Sequence, residues 1–208
     1  MLKKRIKSEF IRILVFILFF TLLCGCKRKQ SVWARVVNKD LPCLKGWKYI
    51  VIHHSGTKSG SVESFHKHHL RLGIGGLGYH FIIGNGNGMK DGEIKAGFRW
   101  KKQISGCHVS RAARYHNVFG IGICLVGNFE RTKPTKKQIK SLVLLIKKLI
   151  KKYGIKTTDI IGHKHVVRSK IKLINNKLRV KFLKAKERTL CPGKNLKVAD
   201  VRKKIDLK

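Results

Sequence analysis

The chain has 208 residues, a formal net charge of +38 and six cysteines. This length suits a single domain that buries its own core after a leader is removed. The charge attracts polyanions in general and identifies no partner by itself. Since no nucleic-acid recognition motif accompanies it, we expect no specific nucleic-acid binding.

The N-terminus has the pattern of an export signal. Residues 1–12 are basic, and residues 13–23 form an apolar run that is shorter than a comfortable membrane span. The Cys24-Gly25-Cys26 that follows is similar to the end of a bacterial lipoprotein signal, in which the cysteine after a small residue is lipidated. We therefore predict a signal peptide over residues 1–26 with lipidation at Cys26. Cys24 is the alternative acceptor, and an uncleaved anchor or ordinary secretion is the alternative fate.

This signal predicts an exported, membrane-anchored lipoprotein of the cell envelope. Lys27 follows the proposed lipid site and is not the aspartate that retains such proteins at an inner membrane. Attachment to the outer membrane, facing the periplasm, is expected if the cell has one. Residues 27–43 are polar and basic, and we interpret them as a linker to a domain over residues 44–208.

Two apolar runs end in histidine, and one later turn contains a cysteine. The first run precedes His53 and His54, and the second precedes His163. Such runs are typical of strands buried on both faces, whose ends can present metal ligands. Cys191 lies in the turn Thr-Leu-Cys-Pro-Gly. Two imidazoles and a thiolate form a three-ligand Zn²⁺ site with a fourth position for water, which indicates catalysis.

The other elements are predicted from periodicity and capping signals. Ser61 caps a helix over residues 62–72, and Thr135 begins a capping box before an amphipathic helix that ends at Tyr153. The continuous apolar character of residues 119–129 favours a central strand. The remaining predictions are strands over 79–83 and 93–98, a glycine-rich turn over 84–92 and a helix over 197–205.

Residues 170–182 alternate apolar and cationic side chains on both sides of Asn175-Asn176, which is a hairpin pattern. We expect an inserted basic hairpin at about 166–187. Because both its ends lead to proposed metal ligands, it would form a basic wall for anionic glycan beside the zinc. A peripheral insertion without substrate contact is the alternative. A disulfide between Cys43 and Cys107 is possible in an exported protein.

Six motifs occur in an order that is typical of one family. They are Ile-His-His-Ser-Gly-Thr at 52–57, Gly-Tyr-His-Phe-Ile-Ile at 78–83, Gly-Asn-Gly-Asn-Gly at 84–88, Gly-Ile-Gly-Ile-Cys-Leu-Val-Gly-Asn-Phe at 120–129, Gly-His at 162–163 and Leu-Cys-Pro-Gly at 190–193. Together they resemble the zinc-dependent N-acetylmuramoyl-L-alanine amidases related to phage lysozyme-type amidases and peptidoglycan recognition proteins. The resemblance covers about residues 47–205.

The resemblance implies an α/β fold with a central mixed β-sheet flanked by helices. It also implies a monomer that hydrolyses the amide between N-acetylmuramic acid and L-alanine in peptidoglycan or muropeptides, for cell-wall remodelling, recycling or lysis. The alternative is a receptor that binds peptidoglycan without cleaving it. Receptors of this family are expected to lack a zinc ligand, usually the cysteine, and Cys191 is present.

The resemblance further assigns roles to single residues. Tyr79 would lie beside the zinc and assist catalysis, and Thr189 would help to polarise the substrate. Some relatives use a glutamate on the strand over 119–129, but here its interior holds Cys124, so more of the catalysis falls to Tyr79 and the zinc. The residues expected to bind substrate are His54, His80, Arg99, His108 and Asn128. A packing role is the alternative for His80.

Overall fold

The computed structural model describes residues 46–174 and 177–206. The predicted signal peptide (1–26), lipidation at Cys26, the linker (27–43), Cys43 as a disulfide partner and the Asn175-Asn176 turn lie outside these residues and stay predictions. Within the described ranges, no helix has both the length and the apolar character that crossing a membrane requires.

A five-stranded sheet forms the centre of the fold. Its strands are β1 (Tyr49–His54), β2 (Phe81–Ile83), β3 (Ile94–Ala96), β4 (Gly120–Leu125) and β5 (Ile160–Gly162). They lie in the order β3-β2-β4-β1-β5. The pair β2 and β3 is antiparallel, and the other neighbours are parallel. The central position predicted for β4 is confirmed.

Helices flank this sheet. They are α1 (Val62–Arg71), α2 (Phe98–Lys101), α3 (Arg114–Phe119), α4 (Lys136–Tyr153) and α5 (Val198–Asp206). Ser61 and Thr135 both form capping boxes, and Gly154 ends α4 in the left-handed conformation. The predicted termini of α1 and α4 are therefore confirmed, as is the α/β fold with a mixed sheet and flanking helices.

The main core lies between α4 and one face of the sheet. Leu142 and Ile146 of α4 pack there with Ile50 and Ile52 of β1. Because side chains alternate along a strand, the residue after Ile52, His53, points to the opposite face. The proposed metal ligand His53 therefore lies on the face of the sheet opposite α4.

Three predicted strands are shorter in the structure. The strand expected over 119–129 is β4, which spans only Gly120–Leu125. The strand expected over 79–83 begins at Phe81, because the backbone bends at His80. The strand expected over 93–98 ends at Ala96, because Gly97 is the N-terminal cap of α2.

Strands β6 (Val167–Ile174) and β7 (Lys177–Lys186) form an antiparallel hairpin. The inner side of the hairpin packs on α3, where Ile171 and Val180 join Tyr115 in a small apolar cluster. The ring of Phe182 lies 5.0 Å from that of Tyr115, centroid to centroid. The hairpin prediction is confirmed, and both strands extend beyond the predicted residues 170–182.

Candidate metal centre

The carboxyl ends of β1 and β5 bring the two predicted histidine ligands together. These strands are parallel neighbours, so their ends meet at one edge of the sheet. The rings of His53 and His163 lie 4.7 Å apart, centroid to centroid. Cys191 joins them from the loop after the hairpin, and one ligand atom from each residue lies within 4.8 Å of the others. The structure therefore assembles the three-residue set that the sequence predicts.

The imidazole of His53 is held in one tautomer. Its Nε2 lies 3.0 Å from Nδ1 of His108, and Nε2 of His108 lies 3.1 Å from the carbonyl oxygen of Gly120. Because a carbonyl only accepts, His108 carries its proton on Nε2 and accepts the Nε2 proton of His53. The lone pair of His53 is then on Nδ1, which faces the sulfur of Cys191 at 3.6 Å. Burial lowers the pKa of His53 well below its usual value, which keeps the ring neutral.

The ring of His108 fills space that two glycines leave open. A Cβ atom on Gly106 would lie 2.3 Å from the His108 ring, and one on Gly122 would lie 2.4 Å from it. The side chain of Asn117 accepts the backbone N–H of His108. His108 is 7% exposed. It therefore lies behind His53 as an orienting group, and the structure corrects the expectation that it lines the substrate groove.

One backbone N–H near the sulfur of Cys191 can stabilise a thiolate. The backbone N–H of His54 points to Sγ at 3.4 Å. Burial raises the pKa of the Cys191 thiol to about 12, and this N–H opposes the rise. A bound cation would displace the proton, because thiolate is the form that ligates metals. The donor set of two neutral imidazoles and one thiolate fits Zn²⁺ with its fourth position open.

Tyr79 lies beside this cluster. Its ring centroid is 5.2 Å from that of His53, and its side chain packs against the buried cluster that contains Cys124 of β4. Burial raises the pKa of Tyr79 well above its usual value, so the phenol keeps its proton and can donate it in a hydrogen bond. Thr189 is half-buried, and its Oγ1 accepts the backbone N–H of Cys191. Within the described part of the chain, the Thr189 hydroxyl proton has no acceptor.

Arg99 is inside the fold, which corrects the expectation that it binds substrate. It is 3% exposed. Its guanidinium donates to the carbonyl oxygens of Leu77, Ser105 and Ile74. Arg99 thus holds the loop that precedes Tyr79, because buried carbonyls that lost these bonds would cost free energy.

His80 is also fully buried, which supports the packing alternative over substrate contact. Its Nδ1 accepts the backbone N–H of Gly122, and its Nε2 donates to the carbonyl of Ile104. Both nitrogens are therefore satisfied only in the neutral ring. Burial lowers the pKa of His80 to about 4.

The protonation of His80 predicts acid sensitivity of the fold. The folded pKa of about 4 lies below the unfolded value of 6.5. The unfolded chain therefore binds more protons between these values, and the unfolding free energy falls as the pH decreases through this window. His80 alone contributes a loss of about 2 kcal/mol at pH 5 relative to pH 7. Urea unfolding at both pH values measures this loss, and His80→Asn should have a shallower dependence on pH. An equal dependence in both proteins would contradict the prediction.

The remaining predicted substrate residues lie at the ends of β1 and β4. The ring of His54 is half-buried, and its Nδ1 accepts the backbone N–H of Phe129. Asn128 is half-buried as well, and its side chain accepts the backbone N–H of Glu130. Both keep partly exposed surface at the edge of the sheet where the metal cluster lies, so substrate contact stays a prediction for them.

Glu187 lies near the site and was not predicted. Its Oε2 is 3.7 Å from Nε2 of His163. Two features of the sequence could have indicated a role for Glu187 near the metal. It is the only acidic residue between Asp159 and Asp200, and it comes four residues before Cys191.

An α/β domain with a His-His-Cys cluster at the carboxyl edge of its sheet agrees with the class of peptidoglycan amidases and peptidoglycan recognition proteins. Residues 44–194 match the profile of Amidase_2, N-acetylmuramoyl-L-alanine amidase. The chain belongs to this family.

Two solved structures are similar to this chain. N-acetylmuramoyl-L-alanine amidase LysC from Clostridium intestinale is 28% identical, with a TM-score of 0.61 over 82% of this chain and 93% of that chain. A Drosophila PGRP-LB variant in complex with tracheal cytotoxin is 23% identical, with a TM-score of 0.52 over 77% of this chain and 86% of that chain, and shares the fold.

A curated relative gives a shorter match. Peptidoglycan-recognition protein 2 from Holotrichia diomphalia is 32% identical over 105 residues, which are 46% of this chain and 50% of the relative. The chain thus spans about half the length of this curated relative.

Proposed function

We propose that this protein is a zinc-dependent amidase that hydrolyses the bond between the lactyl group of N-acetylmuramic acid and L-alanine in peptidoglycan or muropeptides. The observation that carries the proposal is the cluster of His53, His163 and Cys191, with ligand atoms within 4.8 Å of one another. Three protein ligands of this kind leave one coordination position for chemistry. Membership of the amidase family supports this choice of bond.

The residues of the chain supply binding and orientation. When bound, zinc would polarise the scissile carbonyl and lower the pKa of a water molecule to near neutrality. The neutral phenol of Tyr79, whose ring lies beside His53, would donate a hydrogen bond to the oxyanion that develops on the substrate. The hydroxyl of Thr189 can donate a second, uncharged hydrogen bond, which is weaker than one from a cation.

The experiment measures metal content and peptide release together. The purified protein should contain about one zinc ion and release stem peptides from purified sacculi. Chelation should abolish release, and added Zn²⁺ should restore it. Stoichiometric zinc without release would favour the alternative, a receptor that binds peptidoglycan without cleaving it. Two observations support that alternative. Peptidoglycan recognition proteins are among the relatives, and β4 carries Cys124 on the strand where some relatives have a glutamate. Release that survives complete removal of zinc would refute the proposed mechanism.

We further propose that the β6–β7 hairpin provides the basic wall for anionic glycan. Register places Lys170 opposite Lys181 and Lys172 opposite Arg179. All four side chains are exposed. Like charges directly across a strand pair repel each other, so this arrangement costs stability unless an anion is bound.

Reversing two of these charges should separate binding from stability. Lys170→Glu combined with Lys172→Glu creates two opposite-charge pairs across the hairpin. We expect weaker co-sedimentation with sacculi, a smaller dependence of binding on salt and a slightly higher urea midpoint. Lys148→Glu combined with Lys151→Glu on the exposed side of α4 is the matched control for net charge. An equal loss of binding in both double variants would contradict a specific role of the hairpin.

Export and lipidation at Cys26 are a further proposal, supported by the sequence of residues 1–26. The cell-envelope location, attachment to an outer membrane where one exists and the monomeric state belong to the same proposal. The mature protein should fractionate with membranes, and its N-terminal peptide should carry the mass of lipid on Cys26. Cys26→Ala should release it from membranes. A lipid mass that persists in this variant would assign the acceptor to Cys24.

A further inference from the structure

Glu187 connects the hairpin to the metal cluster. Its carboxylate is only slightly exposed, with 10% of the side-chain surface accessible, and its Oε2 lies 3.7 Å from Nε2 of His163. Among the described residues, this Nε2 atom is buried and has no hydrogen-bond partner. A buried ring nitrogen without a partner is costly. The carboxylate oxygen of Glu187 lies less than 1 Å beyond hydrogen-bonding distance from this nitrogen, so a small movement would give it a partner.

The carboxylate of Glu187 is held in place from two sides. The hydroxyl of Ser110 donates to Oε1 of Glu187 at 2.5 Å. The oxygen of the same Ser110 hydroxyl accepts the backbone N–H of Ala112. The backbone N–H of Glu187 donates to the carbonyl of Val166. Its position is therefore set by the base of the hairpin and by the loop before α3.

The carboxylate of Glu187 differs in charge from the other charged side chains of its segment. Glu187 is the single acidic residue in the segment over residues 160–199, whose charged residues are otherwise cationic. Its carboxylate lies beside the ring of His163, a proposed metal ligand. An ionised carboxylate there favours a proton on Nε2 of His163 and increases the electron density that the ring offers at Nδ1.

We propose that Glu187 is a positioning residue for His163. The carboxylate accepts the Nε2 proton, fixes the tautomer and leaves Nδ1 to the metal. This inference rests on the proposed zinc site and specifies how it is built. The two histidines are then oriented by different partners, because His53 donates to the neutral ring of His108 and His163 donates to a carboxylate. The hairpin thereby contributes to metal binding through its C-terminal end.

The test measures metal affinity and geometry instead of turnover. Zinc affinity is measured by competition with a chromophoric chelator, and ligand geometry by the visible absorption of the cobalt-substituted protein. Glu187→Ala should weaken zinc binding by about 10- to 100-fold and alter the cobalt spectrum. Glu187→Gln, which keeps an acceptor without the charge, should lose less, and Glu187→Asp should recover part of the affinity.

Two further variants separate positioning from structural support. Ser110→Ala removes the hydroxyl that donates to Glu187 but keeps the carboxylate. Glu93→Gln changes a carboxylate on the loop before β3. Both should bind zinc more tightly than Glu187→Ala, and the metal-free proteins should unfold at similar temperatures. Affinity within twofold of the parent in Glu187→Ala, or an equal loss in Ser110→Ala, would overturn the inference while leaving the zinc amidase intact. A parent that binds neither zinc nor cobalt would overturn both.

Discussion

Cys191→Ser is expected to abolish both zinc binding and amidase activity. The substitution removes the one thiolate among the three proposed ligands and leaves a hydroxyl that does not ionise at neutral pH. We expect zinc affinity to fall by more than about 100-fold, since loss of an outer partner alone costs up to that much. Metal analysis after gel filtration and peptide release from sacculi measure the two effects.

Cys107→Ser is the matched control for this change. Cys107 is exposed and unpaired among the described cysteines. Its replacement should leave zinc content and peptide release at parental values. Full zinc occupancy in Cys191→Ser would contradict the ligand assignment, whereas loss of zinc from both variants would indicate a general defect in folding.

Tyr79→Phe is expected to lower kcat by about 10²- to 10³-fold, which is the typical effect of removing one donor to a developing oxyanion. The substitution keeps the ring beside His53 and removes only the hydroxyl. Zinc content and KM should change little, because the phenol is not a ligand and acts on the transition state. Steady-state kinetics on a soluble muropeptide separate kcat from KM.

Two variants control for the environment of this phenol. Tyr153→Phe removes a hydroxyl from the end of α4, where the ring packs against Trp100, and should have no effect on kcat. Cys124→Ala removes the thiol from the buried cluster against which Tyr79 packs. If Tyr79→Phe retained the parental kcat, the phenol would have no catalytic role.

The sequence was sufficient to predict the elements whose local signals agree with their packing. Apolar runs that end in His53 and His163 specify the two strands that carry the proposed ligands. The capping box at Thr135 and the left-handed glycine at position 154 specify the ends of α4. Alternation of apolar and cationic residues specifies the hairpin, because its inner face packs on α3 while its outer face stays exposed.

Contacts between distant residues could not be predicted from one sequence. Arg99 has the side chain of a surface or substrate-binding residue, but three carbonyls bind it inside the fold. His108 depends on space left by Gly106 and Gly122, which is visible only after the strands are placed. Glu187 depends on the hairpin returning to the metal edge of the sheet. Helix α3 was missed because six residues are too few for a periodic signal.

The most direct measurement of the central claim identifies the bond that is broken. A purified disaccharide-peptide is incubated with the zinc-loaded protein, and the products are analysed by mass spectrometry. We predict a disaccharide with a free lactyl carboxylate and a peptide with a free L-alanine amino group, with one water added across the amide. An intact sugar-peptide after exhaustive incubation, or cleavage within the glycan or the peptide, would contradict the assignment as an N-acetylmuramoyl-L-alanine amidase.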